Sequence, residues 1–407
     1  MEIRHQQRLG VLDGMRGIAI FIVVWYHLWL MTWQSSHAGF SFLGRDYTLD
    51  VIPVTGFLGV ELFFFISGFC LFYPYARTML EGRPRQTLRD YVYRRAIKIV
   101  PSYVFLLVVL APIMFRANQT PAGDAMKILL AHAAFIMNWF PGMTGQIAGV
   151  LWSLGVEVQF YLVFPLFTVL FMWRPWVGFA VTAAIGLGYR LAVIHAASND
   201  QMWFFLDQLP GVIDLFGGGM LAAYLFVLGR NARQWQRHRV TATVISIVGW
   251  CALFALVTDL YTNRFGPNSI LIWQAHYRLV FSIVLIAVTV ASLFSAAWWR
   301  AIIANPLLLF LSTISYNLYL WHQAIIVGLY QNHVPPWPAD PHANGPWQWT
   351  FTLIALPAAL AVPIVVTYVL ERPILRRGPG ILVETFVAAW RALGVSVRRR
   401  GEPETIE

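Results

Sequence analysis

What most limits this chain is a series of apolar segments, each about as long as a bilayer is thick, separated by short polar or basic stretches. A hydrocarbon core takes ~20 helical residues to cross. Runs of that length fall near 15–34, 54–75, 97–115, 150–172, 175–195, 210–228, 241–260, 277–296, 305–330 and 349–371. In lipid every backbone amide needs an internal partner, so runs like these are helices. The expected fold class is an all-α integral membrane protein with about ten transmembrane helices. Segment 125–140 (AMKILLAHAAFIMNWF) is shorter and has polar flanks, so it reads as interfacial or re-entrant. Composition agrees: 58% of the 407 residues are hydrophobic and 12% charged, against ~25% charged in soluble domains.

The net charge of +10 lies between the apolar runs rather than in one patch. That pattern orients a protein in a bilayer and gives no footprint for nucleic acid. If the N-terminus is cytoplasmic, the loops on its side hold Arg4, Arg8, Arg77, Arg83, Arg85, Arg89, Arg94, Arg95 and Lys98. Arg230, Arg233, Arg237, Arg239, Arg372, Arg376, Arg377 and Arg398 to Arg400 fall on the same side. The opposite loops keep Arg45, Lys127 and Arg264. The excess of basic residues therefore places both termini in the cytoplasm. The first run exceeds the ~7–15 residue core of a signal peptide, so it reads as a span although Ser36-His37-Ala38 imitates a cleavage site. Cys70 and Cys251 sit inside apolar runs and set up no disulfide framework or metal site. The expected organisation is a membrane domain over 1–373 and a basic tail over 374–407, with 381–395 able to form an amphipathic surface helix.

Ionisable residues inside such runs are costly and normally face a bundle interior or a wet cavity. Arg16 and His27, eleven residues apart in the first run, project from one helix face about 16 Å apart along the axis. His27 can act as polar glue between helices or as a functional group. Glu61 and Ser67 lie in GVELFFFISGF, Trp152 and Glu157 in LWSLGVEVQFY, and His322 in SYNLYLWH. Arg94, Arg95 and Lys98 precede Pro101 at the cytoplasmic end of the third run, where they can anchor the helix or receive a phosphorylated ligand. Two histidines, two carboxylates and a cationic mouth together suggest a polar tunnel with an anion site at its inner end.

The order LDGMRGIAIFIVVWYH, GVELFFFISGF, YRRAIKIVP, LWSLGVEVQFY, SYNLYLWH and YVLERP resembles the type-3 membrane acyltransferases over about residues 9 to 373. The resemblance implies transfer of an acetyl or other short acyl group from acyl-CoA to a hydroxyl of a carbohydrate or glycolipid, in the bacterial cytoplasmic membrane. It implies His27 as catalytic residue with Arg16 as its companion, and a donor-binding segment over Arg94, Arg95 and Lys98. Lysine stands at the last basic position, which keeps charge but loses the bidentate fork. The extracytoplasmic hydrolase-like domain fused in some relatives has no counterpart in this sequence, which resembles the stand-alone branch.

Acyl transfer to an alcohol needs a base, oxyanion stabilisation and exclusion of water. His27 suits the base or an acyl-carrying nucleophile. The phosphates of acyl-CoA, a co-substrate rather than a resident cofactor, are expected to meet Arg16, Arg94, Arg95 and Lys98. Glu157 is expected near the outer side, orienting the acceptor hydroxyl, with Glu61, Ser67, Trp152 and His322 as further acceptor contacts. No metal is expected. The rival reading is a multi-span carrier, to which the glycine-interrupted DLFGGGM would also belong.

Overall fold

The computed structural model describes residues 9–36, 38–42, 44–198, 200–232, 238–378 and Gly380. Arg4, Arg8, Arg233, Arg237, the Arg398 to Arg400 run and the 381–395 helix lie outside these residues. The first half of the chain forms α1 (Gly10–Thr32), a short α2 (Val51–Val54), α3 (Gly59–Glu81), α4 (Leu88–Ala117), a short α5 (Ala122–Ala133) and α6 (Leu151–Trp173). The second half forms α7 (Pro175–Ala196), a short α8 (Met202–Leu206), α9 (Leu209–Asn231), α10 (Arg239–Thr262) and α11 (Ser269–Phe294). It closes with α12 (Ala297–Ile303), α13 (Pro306–Gln331), α14 (Gly345–Val366) and α15 (Arg372–Arg377). Each of the ten expected spans coincides with a long helix, and nine of these are individually long and apolar enough to cross a membrane. The tenth, α13, passes that test together with α12, from which it is bent by 45°.

Local chemistry sets the helix ends. Thr87 caps α4 by accepting from Asp90 N at 3.1 Å, Asn305 caps α13 from Leu308 N at 3.0 Å, and Asn344 caps α14 from Trp347 N at 2.9 Å. Each side-chain oxygen satisfies a backbone N–H that has no partner within its helix. Gly82 ends α3 in the left-handed conformation, at φ 64°. Segment 125–140 becomes α5 followed by a 3₁₀ turn at Met137–Trp139. Twelve residues are too few to cross the hydrocarbon. The strand pair Gly39–Phe42 and Arg45–Thr48, a hairpin after α1, is the one departure from the all-α expectation among the described residues.

The bundle is built on backbone approaches that only glycine permits. A Cβ on Gly219 of α9 would lie 1.9 Å from Phe65 O of α3, and one on Gly68 of α3 would lie 2.1 Å from Phe216 O of α9. A Cβ on Gly17 of α1 would likewise lie 2.2 Å from Leu308 O of α13. Small residues at crossings of this kind are how membrane helices gain close packing where lipid supplies no hydrophobic drive. The triplet Gly217-Gly218-Gly219 is thus a packing face within an unbroken helix. Around it, Phe160 and Phe216 stack with centroids 3.9 Å apart inside a core of fully buried phenylalanines.

Candidate active site

Two cavities adjoin where α1, α3, α6 and α13 meet, the first also lined by α4 and the second by α8, α9 and α11, and they share Val60, Phe64 and Tyr319 in their walls. The first, of about 150 Å³, is basic: Arg16, Arg95 and Lys98 line it with Ser67, Cys70, Glu157 and Tyr161. The second, of about 240 Å³, holds His27, Glu61, Trp152, Trp203, Asp207, Gln274, Arg278 and Gln323. Arg16 and His27, on one face of α1, therefore open into different cavities. Helix geometry puts them ~16 Å apart, and the shared wall stands between.

The histidine geometry fixes where protons sit. His322 is fully buried, and its Nδ1 lies 2.8 Å from Leu318 O and 2.9 Å from Tyr319 O. Carbonyls only accept, so Nδ1 carries the hydrogen and Nε2 of the neutral ring holds a lone pair. That Nε2 lies 3.2 Å from His27 Nδ1, which is also 2.9 Å from Val23 O. Two acceptors around His27 Nδ1 assign its hydrogen there. The unprotonated nitrogen of His27 is then Nε2, on a ring that lines the second cavity.

In the basic cavity, helical spacing decides which cations take part. Residues 95 and 98 share a face of α4 with buried Ile99 and Ser102, whereas Arg94 is rotated ~100° away and exposed. Arg94, expected as a donor contact, lines neither cavity. Arg95 sits over the Tyr161 ring, 5.8 Å from its centroid, and its Nε is buried without a hydrogen-bond partner. Lys98 pairs with Glu371 and lies over the Tyr316 ring at 5.3 Å. Arg16 reaches Cys70 Sγ at 3.8 Å.

Glu157 also departs from expectation. It accepts from Ser67 Oγ at 2.8 Å and Tyr161 OH at 2.5 Å, and it lines the basic cavity rather than the histidine cavity. It faces Arg95 and Arg16 because residue 157 lies nearly two turns below Leu151, where α6 begins, on the same side as Tyr161 and Ser153. Ser67, expected as an acceptor contact, lines the same basic cavity. Glu61 and Trp152 line the histidine cavity, while His322 stands behind His27 and lines neither. Among the described residues no group of three or more His, Cys, Asp or Glu side chains could hold a metal ion.

The model of the acyltransferase domain family matches residues 9–368, which is most of the chain. The chain belongs to this acyltransferase family. It is 26% identical over 336 residues to the peptidoglycan O-acetyltransferase OatA of Listeria monocytogenes, covering 77% of this chain and 49% of that protein. It is 26% identical over 339 residues to the O-acetyltransferase OatA of Staphylococcus aureus, covering 78% and 50%. A putative O-acetyltransferase of S. aureus is 25% identical over 347 residues, covering 79% and 51%. The chain thus spans about half the length of the curated relatives it matches. No solved structure matches it.

The chain also carries buried charges that sequence reasoning passed over. Arg190 and Asp214, both fully buried, form a two-point pair at 2.9 and 2.8 Å, and Arg190 further donates to Ala275 O and Gly211 O. Arg278 donates to Glu61 Oε1 at 2.8 Å, to Leu206 O and Gly211 O, and to Gln274 Oε1. Gly211 O thus joins the two arginines at the start of α9. The signal was available: Arg190, Asp214 and Arg278 are ionisable residues inside apolar runs, which marks an interior position by default.

Proposed function

We propose that this protein transfers an acetyl or other short acyl group from acyl-CoA to a hydroxyl of a carbohydrate or glycolipid. The observation that carries the reading is the pair of adjoining cavities, one cationic and one built around the lone-pair nitrogen of His27. Polyanionic CoA arriving from the cytoplasm suits Arg16, Arg95 and Lys98, with the guanidinium forks suited to phosphate. The thioester end then passes the Val60–Phe64–Tyr319 wall toward His27.

In the direct form, His27 Nε2 takes the proton of the acceptor hydroxyl as that oxygen attacks the thioester carbonyl. The carbon–sulfur bond breaks, and the departing thiolate of CoA recovers the proton from the imidazolium. The alternative passes the acyl group through Nε2 first, with CoA leaving before the acceptor arrives. His322 holds His27 in the tautomer both routes need. Family membership and the O-acetyltransferase names of relatives support the reaction class, and the excess of basic loops supports a multi-pass placement in the bacterial cytoplasmic membrane with the basic cavity facing inward. The carrier reading drew in part on DLFGGGM as an interrupted helix, and α9 runs continuously through those glycines. Purified protein given radiolabelled acetyl-CoA and a glycan acceptor tests the proposal: label is expected to move to the glycan. A protein that binds acetyl-CoA yet never breaks its thioester would end it.

A further inference from the structure

The histidine cavity holds a buried acceptor atom that the protein leaves unused. Glu61 is 4% exposed, and one of its oxygens, Oε1, is taken by Arg278 at 2.8 Å. The other, Oε2, is buried with no hydrogen-bond partner. Leaving a buried polar atom unpaired costs free energy, so such an atom calls for a donor that arrives with a ligand. Arg278 is not that donor: its guanidinium is committed to Glu61, Gln274 and the carbonyls of Leu206 and Gly211. It locks Glu61 so that Oε2 keeps one position in the cavity wall.

Around this oxygen the lining has a particular chemistry. Trp152 and Trp203 supply flat apolar faces, Gln274 and Gln323 supply amides, and Asp207 adds a second carboxylate. Against these two carboxyl groups stands one guanidinium, and it is already committed to Glu61, Gln274 and two backbone carbonyls. The volume, about 240 Å³, lies below the ~300–1,000 Å³ of sites for drug-sized ligands, which limits the occupant to about one ring. We infer that the histidine cavity binds a single uncharged polyhydroxyl ring, with a hydroxyl donating to Glu61 Oε2, and that it rejects rings bearing a carboxylate or phosphate. This rests on the acyltransferase reading above and deepens it by assigning the charge class of the acceptor. A neutral ring satisfies the free oxygen and packs against the indoles of Trp152 and Trp203 in the lining. The carboxylate of an anionic ring has no hydrogen to offer Glu61 Oε2 and finds no free cation in the lining.

The test uses the full chain in detergent, radiolabelled acetyl-CoA, and a set of neutral methyl glycosides (glucoside, galactoside, N-acetylglucosaminide) against the matching methyl uronides. Transfer to at least one neutral ring is expected, with kcat/KM at least ~10-fold above its uronide, since like-charge juxtaposition is strongly disfavoured. Glu61→Gln breaks the Arg278 pair and can fail to fold, so the deciding variant is Asp207→Asn, which removes a carboxyl group and leaves that pair intact. It is expected to shrink the neutral-to-uronide ratio several-fold. Uronides used as well as neutral rings, a ratio unchanged in folded Asp207→Asn, or thioester breakdown with transfer to no neutral ring would each overturn the inference while sparing the acyltransferase reading. Acetyl-CoA left intact under all conditions would overturn that reading and this inference with it.

Discussion

Nε2 of His322 stands 3.2 Å from Nδ1 of His27, and the carbonyls of Leu318 and Tyr319 hold the hydrogen of His322 on its other nitrogen. The α13 histidine therefore acts on the α1 histidine as an acceptor, the part a carboxylate plays behind the histidine of a hydrolase triad. The contact crosses between helices that pack closely at Gly17, so the position of one ring is tied to the backbone of both.

The first prediction follows from that contact. His322→Ala is expected to lower kcat by ~10-fold or more, as removal of an orienting partner does, with the KM for acyl-CoA nearly unchanged. His322→Gln, whose amide oxygen can still accept from His27 Nδ1, is expected to recover part of the loss. Steady-state kinetics over a range of pH distinguishes the two roles. A purely structural His322 would change expression and leave both kcat and its pH profile as they were.

Donor binding gives the second. Arg95→Ala and Lys98→Ala are expected to raise the KM for acyl-CoA several-fold and to weaken its salt dependence, because each removes a cation from the basic cavity. Arg94→Ala is expected to leave KM within about twofold, since a surface charge outside the cavity is largely screened. Equal effects at positions 94 and 95 would show that the cavity does not hold the phosphates.

That contrast also shows what the sequence made legible. Ten spans could be read from apolar length alone, since lipid leaves the backbone no other solution. The Arg16–His27 relation was legible too, because helical periodicity is local. Positions set by rotation of one helix against another were not: Arg94 and Arg95 are neighbours in sequence, and only the packing of α4 decides which enters the cavity. Glu157 illustrates the same limit, since depth along α6 said nothing of which cavity it faced. Pairs such as Arg278 with Glu61, 217 positions apart, depend on tertiary contacts that no window of sequence contains. The hairpin after α1 escaped because its two strands are four residues each.

The third prediction concerns the buried pair of α7 and α9. Arg190→Met strands the Asp214 carboxylate in the core, and breaking a buried pair from one side costs ~3–5 kcal/mol. Arg190→Met is therefore expected to aggregate at markedly lower temperature in a detergent thermal-stability assay, and Asp214→Leu likewise. The double variant Arg190→Met/Asp214→Leu is expected to recover most of the loss, since an apolar replacement of both partners is often neutral. A double variant no better than the singles would mean that the further bonds of Arg190 to Ala275 O and Gly211 O carry the stability.

Topology supplies the fourth. With ten crossings, a reporter fused after Glu407 is expected to behave as cytoplasmic. Single cysteines placed in the 332–344 loop are expected to react with an impermeant thiol reagent added outside intact cells. A periplasmic signal from the fusion would reverse the orientation assigned from the basic loops and with it the inward-facing basic cavity.

The last prediction tests His27 itself. If its Nε2 is the base or the acyl-carrying nucleophile, His27→Ala loses ~10²–10⁴ in rate as general base, and more if the acyl group passes through it. Acetyl-CoA affinity is expected to stay close to that of the parent, because His27 lines the cavity that Arg16, Arg95 and Lys98 do not. Arg16→Ala is expected to weaken donor affinity as well as turnover, so the two variants on one helix face should separate into a rate effect and a binding effect. A role for His27 as interhelical glue makes a different forecast. His27→Gln can still donate toward His322 Nε2 from its amide, so a glue role predicts retained activity. Its side chain has no lone-pair nitrogen to take a proton, so a catalytic role predicts a folded, donor-binding and inactive protein. Equilibrium binding of acetyl-CoA alongside label transfer, measured on the same His27→Gln preparation, separates the two outcomes, and transfer at near-parental rate would remove His27 from the chemistry.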